Sequence, residues 1–351
     1  MSAGETRGRR SRVHVPSRIS LWTCVILLFE FGLGGQAEAK QRILGGISQR
    51  HVVRNTSAMT QDKGSSRGRS MTSNIVVGWD LNNPSAPMSG IVAVGLMFVE
   101  YLFHRLNHRD SHDAGETAAS LIIALGNKVL APLTASIAAI PLLFLYQCRL
   151  FDFPPEAAWS WPLLFLGVDL CYYFHHIAMH RIRWLWASHA VHHSATRMNW
   201  SAGVRLGWGS YLTGGMVFYA PMVLLGFHPA AVLAMLALGL SYQFFVHMAQ
   251  PPHLGPLEWV LNTPRNHHVH HAFNPCCIDK NFGFVLIIYD RMFGTFAEAP
   301  AHEELRFGLA AGAATNNPVQ IVFHVWKKMF ADVLRARSFM AVARVLFGRP
   351  T

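Results

Sequence analysis

The sequence predicts an all-α integral membrane protein, with about four to five transmembrane helices and a cytoplasmic helical cap that carries a histidine cluster. Composition is the first reason, because 51% of the 351 residues are apolar and only 14% are charged, against about 25% charged in ordinary soluble domains. The second reason is that several apolar segments reach bilayer length. The third is the placement of histidine, since ten of the 20 histidines lie in three clusters between His175 and His271, with His247 as a single eleventh candidate.

The first 70 residues differ from the rest of the chain. They carry 12 Lys/Arg and 4 Asp/Glu, so most of the formal net charge of +11 lies there. One interpretation is a disordered or signal-like extension, with Leu21–Gly35 as its apolar stretch and Ala39 ending a small-residue site. The other is that translation begins at Met71. The remaining residues are only slightly basic, so no nucleic acid partner is expected.

Apolar segments then follow in order along the chain. Two of them contain a carboxylate, Glu100 in the first and Asp169 in the third. The last two form a hairpin within 52 residues that lack Lys, Arg, Asp and Glu, and Gly226 and Pro229 break it in the middle. The predicted spans are Met88–Phe103, Val129–Cys148, Trp159–Phe174, 208–226 and 229–247.

The short loops predict the orientation of these spans. Four arginines and no acid lie from Arg181 to Arg205, which places that segment in the cytoplasm. A hairpin returns the chain after His247 to the same side, so all the histidine clusters face the cytoplasm. We expect a multi-pass protein of a bacterial inner membrane or of the endoplasmic reticulum.

Nine histidines are candidate metal ligands because they recur at i, i+3 and i+4, which places imidazoles on one face of a helix. They are His176, His180, His189, His192, His193, His247, His267, His270 and His271. His175 and His268 fall off those faces, and His228 and His253 are expected to be structural.

Nine imidazoles exceed the needs of one metal ion and are enough for two sites with open positions. Imidazole suits iron, zinc, copper and nickel alike. The five cysteines neither accompany the histidines nor form a disulfide framework, which argues against a structural zinc site. Carboxylates are expected to orient imidazole N–H groups, with Asp169 as the first candidate, followed by Glu258 and Asp279.

The order HxxxH, HxxHH, single His, HxxHH resembles the fatty acid hydroxylase/sterol desaturase superfamily. The flanks of the boxes are similar too, at residues 169–176, 186–194, 254–264, 277–283 and 289–296. They are most similar to the alkylglycerol monooxygenase-like branch and its bacterial relatives. The resemblance covers roughly residues 88–297, which leaves 298–351 as a C-terminal helical tail.

The resemblance implies two iron ions held by the nine histidines, O₂ as co-substrate, and a lipid substrate within the bilayer. Asp169, Asn262 and Asp279 are then predicted as catalytic-site residues. No flavin, haem or dinucleotide motif is visible, so electrons would come from a donor protein or a small reductant. The predicted reaction is hydroxylation of an acyl, alkyl or sterol carbon. Desaturation at the same centre and a non-enzymatic metal-binding role are the alternatives, and the oligomeric state is left open.

Overall fold

The computed structural model describes residues 85–154, 157–310 and 315–350. Both interpretations of residues 1–70, including a start at Met71, concern residues outside these ranges. Within them the chain is helical, and its only β-type pairings are two isolated bridges, Leu261 with Leu286 and Ala272 with Phe307. The all-α prediction is confirmed for the described part of the chain.

Eleven α-helices account for most of the described residues. They are α1 (Ser85–Leu106), α2 (Ala114–Tyr146), α3 (Ser160–Arg181), α4 (Arg183–His189), α5 (Trp200–Gly203), α6 (Ala220–Leu225), α7 (Pro229–Val246), α8 (Pro264–His271), α9 (Ile288–Phe293), α10 (Pro318–Arg335) and α11 (Phe339–Phe347). Short 3₁₀ helices lie at His192–Ser194, Ser210–Thr213, Gly215–Tyr219 and Gly255–Trp259.

Two of the described helices, α2 and α7, are long and apolar enough to cross a membrane. Helices α1 and α3 also have 22 residues each, about 33 Å in length. Apolar side chains point outward from α1 and α2, as at Phe98, Val129 and Phe144, which are 62%, 70% and 73% exposed. Side chains exposed in this way suit contact with lipid tails better than contact with water.

The predicted helix over 208–226 is wrong. Gly209 and Gly214 take left-handed backbone angles, with φ of 72° and 86°, and they divide this arm into two 3₁₀ turns before the short helix α6. Left-handed residues cannot continue a right-handed helix, and glycine adopts that conformation without a Cβ clash. The predicted break before Pro229 is confirmed, since α7 begins at that residue.

The core that positions the histidines lies where α3 packs against α7 and α6. Val168 and Tyr172 on α3 belong to the same buried cluster as Val223 and Val232. The ring of Tyr172 also stacks on that of Phe284, with centroids 3.7 Å apart. Tyr172 lies one helical turn before His176, so this packing fixes the histidine-bearing end of α3.

The C-terminal helices α10 and α11 pack against α4. The Arg183 guanidinium forms an ion pair with Asp332 of α10 at 2.5 Å, and the Arg183 backbone N–H donates to the carbonyl of Gly348 at 2.9 Å. Ile321 of α10 belongs to an apolar cluster with Ile123 of α2. The segment predicted as a helical tail therefore forms a wall beside the second histidine box.

Candidate metal centre

The first box lies at the end of α3. His176 and His180 are four residues apart on this helix, so their imidazoles lie on one face, with ring centroids 5.2 Å apart. Their neighbour His175 points away from them, stacks on Phe218, and lies 3.4 Å from the Tyr219 hydroxyl through its Nδ1.

The second box changes conformation in the middle. Helix α4 ends at His189, and a 3₁₀ turn covers His192–Ser194. This change separates two adjacent residues, because His192 and His193 direct their rings at 89° to one another and join different histidine groups. The prediction of three imidazoles near one helical face did not foresee this division.

The third box occupies the short helix α8. Thr263 caps its N-terminus, with its side chain accepting from the Asn266 backbone N–H, and Pro264 is its first residue, a position that proline favours because no N–H is needed there. His267, His270 and His271 follow. His247 comes from a different element, the end of α7.

The structure brings all nine predicted ligands together in two groups. The five-histidine group consists of His176, His180, His189, His193 and His270. The four-histidine group consists of His192, His247, His267 and His271. Within each group the candidate ligand atoms all lie within 4.8 Å of one another. The ligand role itself stays a prediction.

The Nε2 atoms converge in both groups. In the five-histidine group, Nε2 of His176 is 3.0 Å from that of His189, and Nε2 of His193 is 3.1 Å from that of His270. In the four-histidine group, Nε2 of His247 is 3.1 Å from that of His267. Two nitrogens bound at right angles to one metal, each at about 2.1 Å, would be about 3.0 Å apart.

Three of the imidazoles are fixed with Nε2 available for a metal. The Nδ1 atom of His176 lies 2.9 Å from the carbonyl oxygen of Phe282, and that of His270 lies 2.9 Å from the carbonyl of Lys280. Nδ1 of His247 lies 2.6 Å from the Gln243 carbonyl. A carbonyl can only accept, so Nδ1 carries the proton and Nε2 keeps its lone pair.

The donor set fits a pair of metal ions. Nε2 of His180 is buried and has no hydrogen-bond partner among the described residues, which is costly unless a ligand satisfies it. Burial lowers the pKa of His192 to about 3 and that of His270 to about 4. It also lowers the pKa of His193 and His267 well below the ordinary range. The imidazoles therefore stay neutral, as metal ligation requires.

The residues predicted to be structural lie outside both groups. His268 on α8 directs its Nε2 at the carbonyl oxygen of Met248, 3.0 Å away. His228 caps α7, where its side chain accepts from the Ala230 backbone N–H. His253 Nδ1 accepts from the Gly255 N–H at 3.0 Å.

A loop over residues 281–286, here called the closing loop, joins the two groups through its backbone. The Asp169 carboxylate accepts from the N–H groups of Val285 and Leu286 at 2.9 and 3.3 Å. It therefore contacts this loop, and not an imidazole N–H as the sequence predicted. Asp169 and His176 share α3, so the same helix supplies a candidate ligand and anchors the loop.

Other side chains complete the attachment of the closing loop. Asn262 donates to the Gly283 carbonyl at 2.6 Å and lies 3.5 Å from Nδ1 of His267. Gln243, one turn before His247 on α7, donates to the Phe284 carbonyl at 2.5 Å. Asp290 accepts from the N–H groups of Phe282 and Gly283 at 2.8 and 2.7 Å. The carbonyl that receives His176 Nδ1 is thereby held in place.

Asp279 lies beside the five-histidine group but at long range. Its carboxylate is 3.9 Å from Nδ1 of His180 and 3.9 Å from Nε of Arg181. Asp279 also takes a left-handed backbone angle, with φ of 58°, which aspartate tolerates better than most residues. Glu258 lies in the 3₁₀ helix Gly255–Trp259, where its carboxylate accepts from the Leu254 backbone N–H.

Several polar residues that hold the histidine segments in place were not predicted from the sequence. Glu100 on α1 accepts from the backbone N–H groups of Trp200 and Ala249, at 2.8 and 2.7 Å, and so fixes the chain just after His247. Glu116 on α2 accepts from Thr196 N–H at 2.6 Å. Arg205 donates to the hydroxyl of Ser194, the residue next to His193. The only available signal was a charged residue within or beside an apolar segment.

Comparison with known proteins confirms the predicted resemblance. Residues 161–295 match the family model described as fatty acid hydroxylase. This matched region contains all nine candidate ligands and the closing loop, whereas α1, α2 and the C-terminal helices lie outside it.

The relatives include enzymes of lipid metabolism. The chain is 42% identical over 203 residues to alkylglycerol monooxygenase of Homo sapiens, covering 58% of this chain and 44% of that protein. For the protein of the same name in Danio rerio the identity is 41% over 179 residues, covering 51% of this chain and 38% of that protein. The chain thus spans less than half the length of these two relatives.

A bacterial relative is matched over more of its own length. The ornithine lipid hydroxylase OlsE of Rhizobium tropici is 26% identical over 244 residues, covering 64% of this chain and 71% of that protein. No solved structure matches the chain.

Proposed function

We propose that this chain, which carries a fatty acid hydroxylase region at residues 161–295, is an O₂-dependent lipid hydroxylase with two iron ions held by its nine histidines. The observation that carries the proposal is the convergence of the nine imidazoles in two adjacent groups. Packing alone does not explain so many buried imidazoles whose Nε2 atoms face one another, because burying polar atoms without a partner is unfavourable.

The protein's own contribution is ligation, orientation and exclusion of water. Iron in such a site supplies the activation of O₂ for oxidation of a C–H bond. The carbonyls of Phe282, Lys280 and Gln243 hold three imidazoles in the tautomer that presents Nε2. The closing loop keeps the Phe282 contact in place through Asp169 and Asp290, which accept from its backbone N–H groups. Preorganised ligands of this kind need no rearrangement during the reaction.

We further propose that the enzyme spans the membrane several times and that its histidines face the cytoplasm. Helices α2 and α7 support this, because their length and composition allow them to cross a bilayer. The exposed apolar side chains of α1, such as Ile91 and Phe98 at 65% and 62%, support a third span. A lipid substrate would then approach within the bilayer, and electrons would come from a separate donor protein or small reductant.

Lipid hydroxylation is favoured over other oxidations by the activities that the relatives are named for. These are an alkylglycerol monooxygenase and an ornithine lipid hydroxylase, both of which add oxygen to a lipid. Desaturation at the same centre would remove two hydrogens instead. A non-enzymatic metal-binding protein would need neither O₂ nor a lipid.

The test combines metal analysis with lipid analysis. The full chain is purified in detergent from iron-replete cells, and iron, zinc and O₂ consumption are measured. Lipids of cells with and without the protein are compared by mass spectrometry. We expect iron and a gain of one oxygen atom in one lipid class. Loss of two hydrogen atoms would establish desaturation instead, and zinc or no metal together with no O₂-dependent activity would overturn the proposal.

Ligand variants with a matched control complete the test. His192→Ala and His270→Ala each remove one imidazole from one group and should abolish turnover. His268→Ala removes a buried imidazole from the same helix as His270, but one that faces the Met248 carbonyl, and should retain turnover. Unchanged turnover in either of the first two variants would contradict the ligand assignment.

A further inference from the structure

A cavity of about 390 Å³ opens beside the five-histidine group. Its volume is within the range of small-molecule sites, about 300–1,000 Å³. Three members of the five-histidine group, His180, His193 and His270, form part of its wall, together with His271 of the four-histidine group. The cavity therefore reaches both candidate metal positions.

The C-terminal helices form the opposite wall. His324, Val325 and Lys328 of α10 line the cavity, as does Arg349 after α11. These residues lie outside the matched region 161–295. The C-terminal helices thus form part of the wall of a cavity next to the candidate metal centre.

The lining of the cavity is mixed in character. Apolar side chains contribute surface, including Trp186, Phe273, Ile278 and Leu309, and the Trp186 ring lies beside the histidines, with its centroid 5.2 Å from that of His180. The side of the C-terminal helices carries cations, since Lys328 and Arg349 are exposed residues there.

The balance of charge around the cavity is positive. Its lining residues include three permanent cations, Arg183, Lys328 and Arg349, and a single carboxylate, Asp279. Arg183 is neutralised by its ion pair with Asp332, and Asp279 lies 3.9 Å from Arg181 Nε. Lys328 and Arg349 are the exposed cations of this lining, so they are the ones that an anion entering from solvent can reach.

We infer that this cavity binds an amphiphile whose phosphate or carboxylate group meets Lys328 and Arg349 while its hydrocarbon part points towards the histidines. The inference rests on the proposed function and deepens it, because it names an anionic lipid as the substrate class. Charge-assisted contacts recognise the anion, and the apolar wall accepts the chain.

Binding of three simple probes tests the inference on the full chain in detergent. Octyl phosphate carries both an anion and a chain, 1-octanol carries only the chain, and inorganic phosphate carries only the anion. Their affinities are measured by isothermal titration calorimetry at low and at high salt. We expect octyl phosphate to bind most tightly, and its affinity to fall at high salt as charges at an exposed rim are screened.

A charge-matched pair of variants locates the site. Lys328→Gln with Arg349→Gln removes two cations that line the cavity, and Lys327→Gln with Arg344→Gln removes two exposed cations that do not line it. The first variant should weaken octyl phosphate binding about fivefold to tenfold, as expected for two exposed charge contacts. The second should change it less than about twofold. Binding of 1-octanol should be the same in both.

Three outcomes would overturn the inference. Equal losses in the two variants would place the anion elsewhere, and equal affinity for octyl phosphate and 1-octanol would remove the need for an anion. Inorganic phosphate that competes as strongly as octyl phosphate would show that a soluble anion, and not a lipid, occupies the cavity.

Failure of the inference is distinguishable from failure of the proposed function. Binding does not depend on turnover, and iron content is measured on the same preparations. If the protein holds iron and has O₂-dependent activity but binds octyl phosphate no more tightly than 1-octanol, only the inferred substrate class is contradicted. Selective binding by a protein without iron or activity would contradict only the proposed hydroxylase.

Discussion

The two histidine groups are built from the same residue type but differ in number and access. All members of the four-histidine group are buried, and His267 is wholly inaccessible. The five-histidine group contains the partly exposed residues His180 and His189 and contributes most of the histidines that face the cavity. The four-histidine group is therefore the more enclosed of the two, with only His271 at the cavity, whereas the five-histidine group contributes three histidines to its lining.

This difference predicts that metal ions at the two positions differ in their exposure to chelators and to molecules in the cavity. A metal ion in the four-histidine group would be better shielded from water and chelators, because all four histidines are buried and only His271 lines the cavity. One in the five-histidine group would have a spare ligand but would also meet whatever enters the cavity. The following predictions test that contrast.

Removal of one candidate ligand should have the largest effect on iron content, and the effect should differ between the two histidine groups. His267→Ala leaves three histidines in the four-histidine group, so iron should fall from about two to about one per chain. His193→Ala leaves four in the five-histidine group, enough for many metal sites, so more iron should be retained. Metal analysis of purified protein measures both. Equal iron loss in the two variants would contradict the unequal roles.

Asp290→Asn should weaken the five-histidine group selectively. The substitution turns an amide donor towards one of the N–H groups of Phe282 and Gly283 that the carboxylate now accepts. The Phe282 carbonyl would lose its fixed position beside His176, and partners of this kind typically affect metal affinity about 10–100-fold.

Chelator titration of the Asp290→Asn protein measures this loss. The first iron removed should be lost at a lower chelator concentration than in the unsubstituted protein, and the second should be little affected. Asp152→Asn, at a side chain that is 76% exposed, is the matched control and should have no effect. Equal weakening of both iron ions would show that the closing loop serves both groups alike.

The metal-free protein should lose stability as the pH falls below about 6.5. Burial lowers the pKa of His192 to about 3 and of His270 to about 4, whereas both protonate near 6.5 in the unfolded chain. The unfolded state therefore binds more protons below that pH, and folding stability decreases with it. At higher pH this contribution is fully present.

Thermal unfolding in detergent between pH 5 and pH 8 measures the effect. Removal of one buried imidazole in His192→Gln should make the melting temperature less dependent on pH. His302→Gln, at an exposed histidine, should leave the dependence unchanged. A melting temperature that stays constant from pH 5 to pH 7 would contradict the expectation.

The smallest effects are expected at the histidines next to the boxes. His175→Gln and His268→Gln remove imidazoles that contact Phe218 and the Met248 carbonyl and belong to neither group. Iron content should stay within about 20% of that of the unsubstituted protein, the level at which a stoichiometric ligand is excluded. Loss of a whole iron ion in either variant would require the two groups to be redefined.

Helical spacing predicted much of the site, because i and i+4 place His176 and His180 on one face regardless of what surrounds them. Spacing could not assign His192 and His193 to different groups, since that depends on a local 3₁₀ turn. The contact of Asp169 with the closing loop could not be foreseen either, because its partners are more than a hundred residues away in sequence.

The fold shows the same limit. Hydropathy predicted α7 and the second half of α2, from Val129 onward, whose apolar composition is independent of tertiary contacts, but it missed the first half of α2, which begins at Ala114. It failed over 208–226, where the uncharged run conceals left-handed backbone at Gly209 and Gly214. The same run is compatible with a continuous helix or with a broken one, because composition does not record backbone angles.

The closing loop also determines when the centre can form during biosynthesis. The carbonyl of Phe282, which accepts from Nδ1 of His176, lies 106 residues after that histidine in the sequence. At a synthesis rate of about 5–20 residues per second, it leaves the ribosome roughly 5 to 20 s later. The first box is therefore synthesised well before this partner, and α7 and the third box are both made in the interval. The complete set of nine candidate ligands exists only after that.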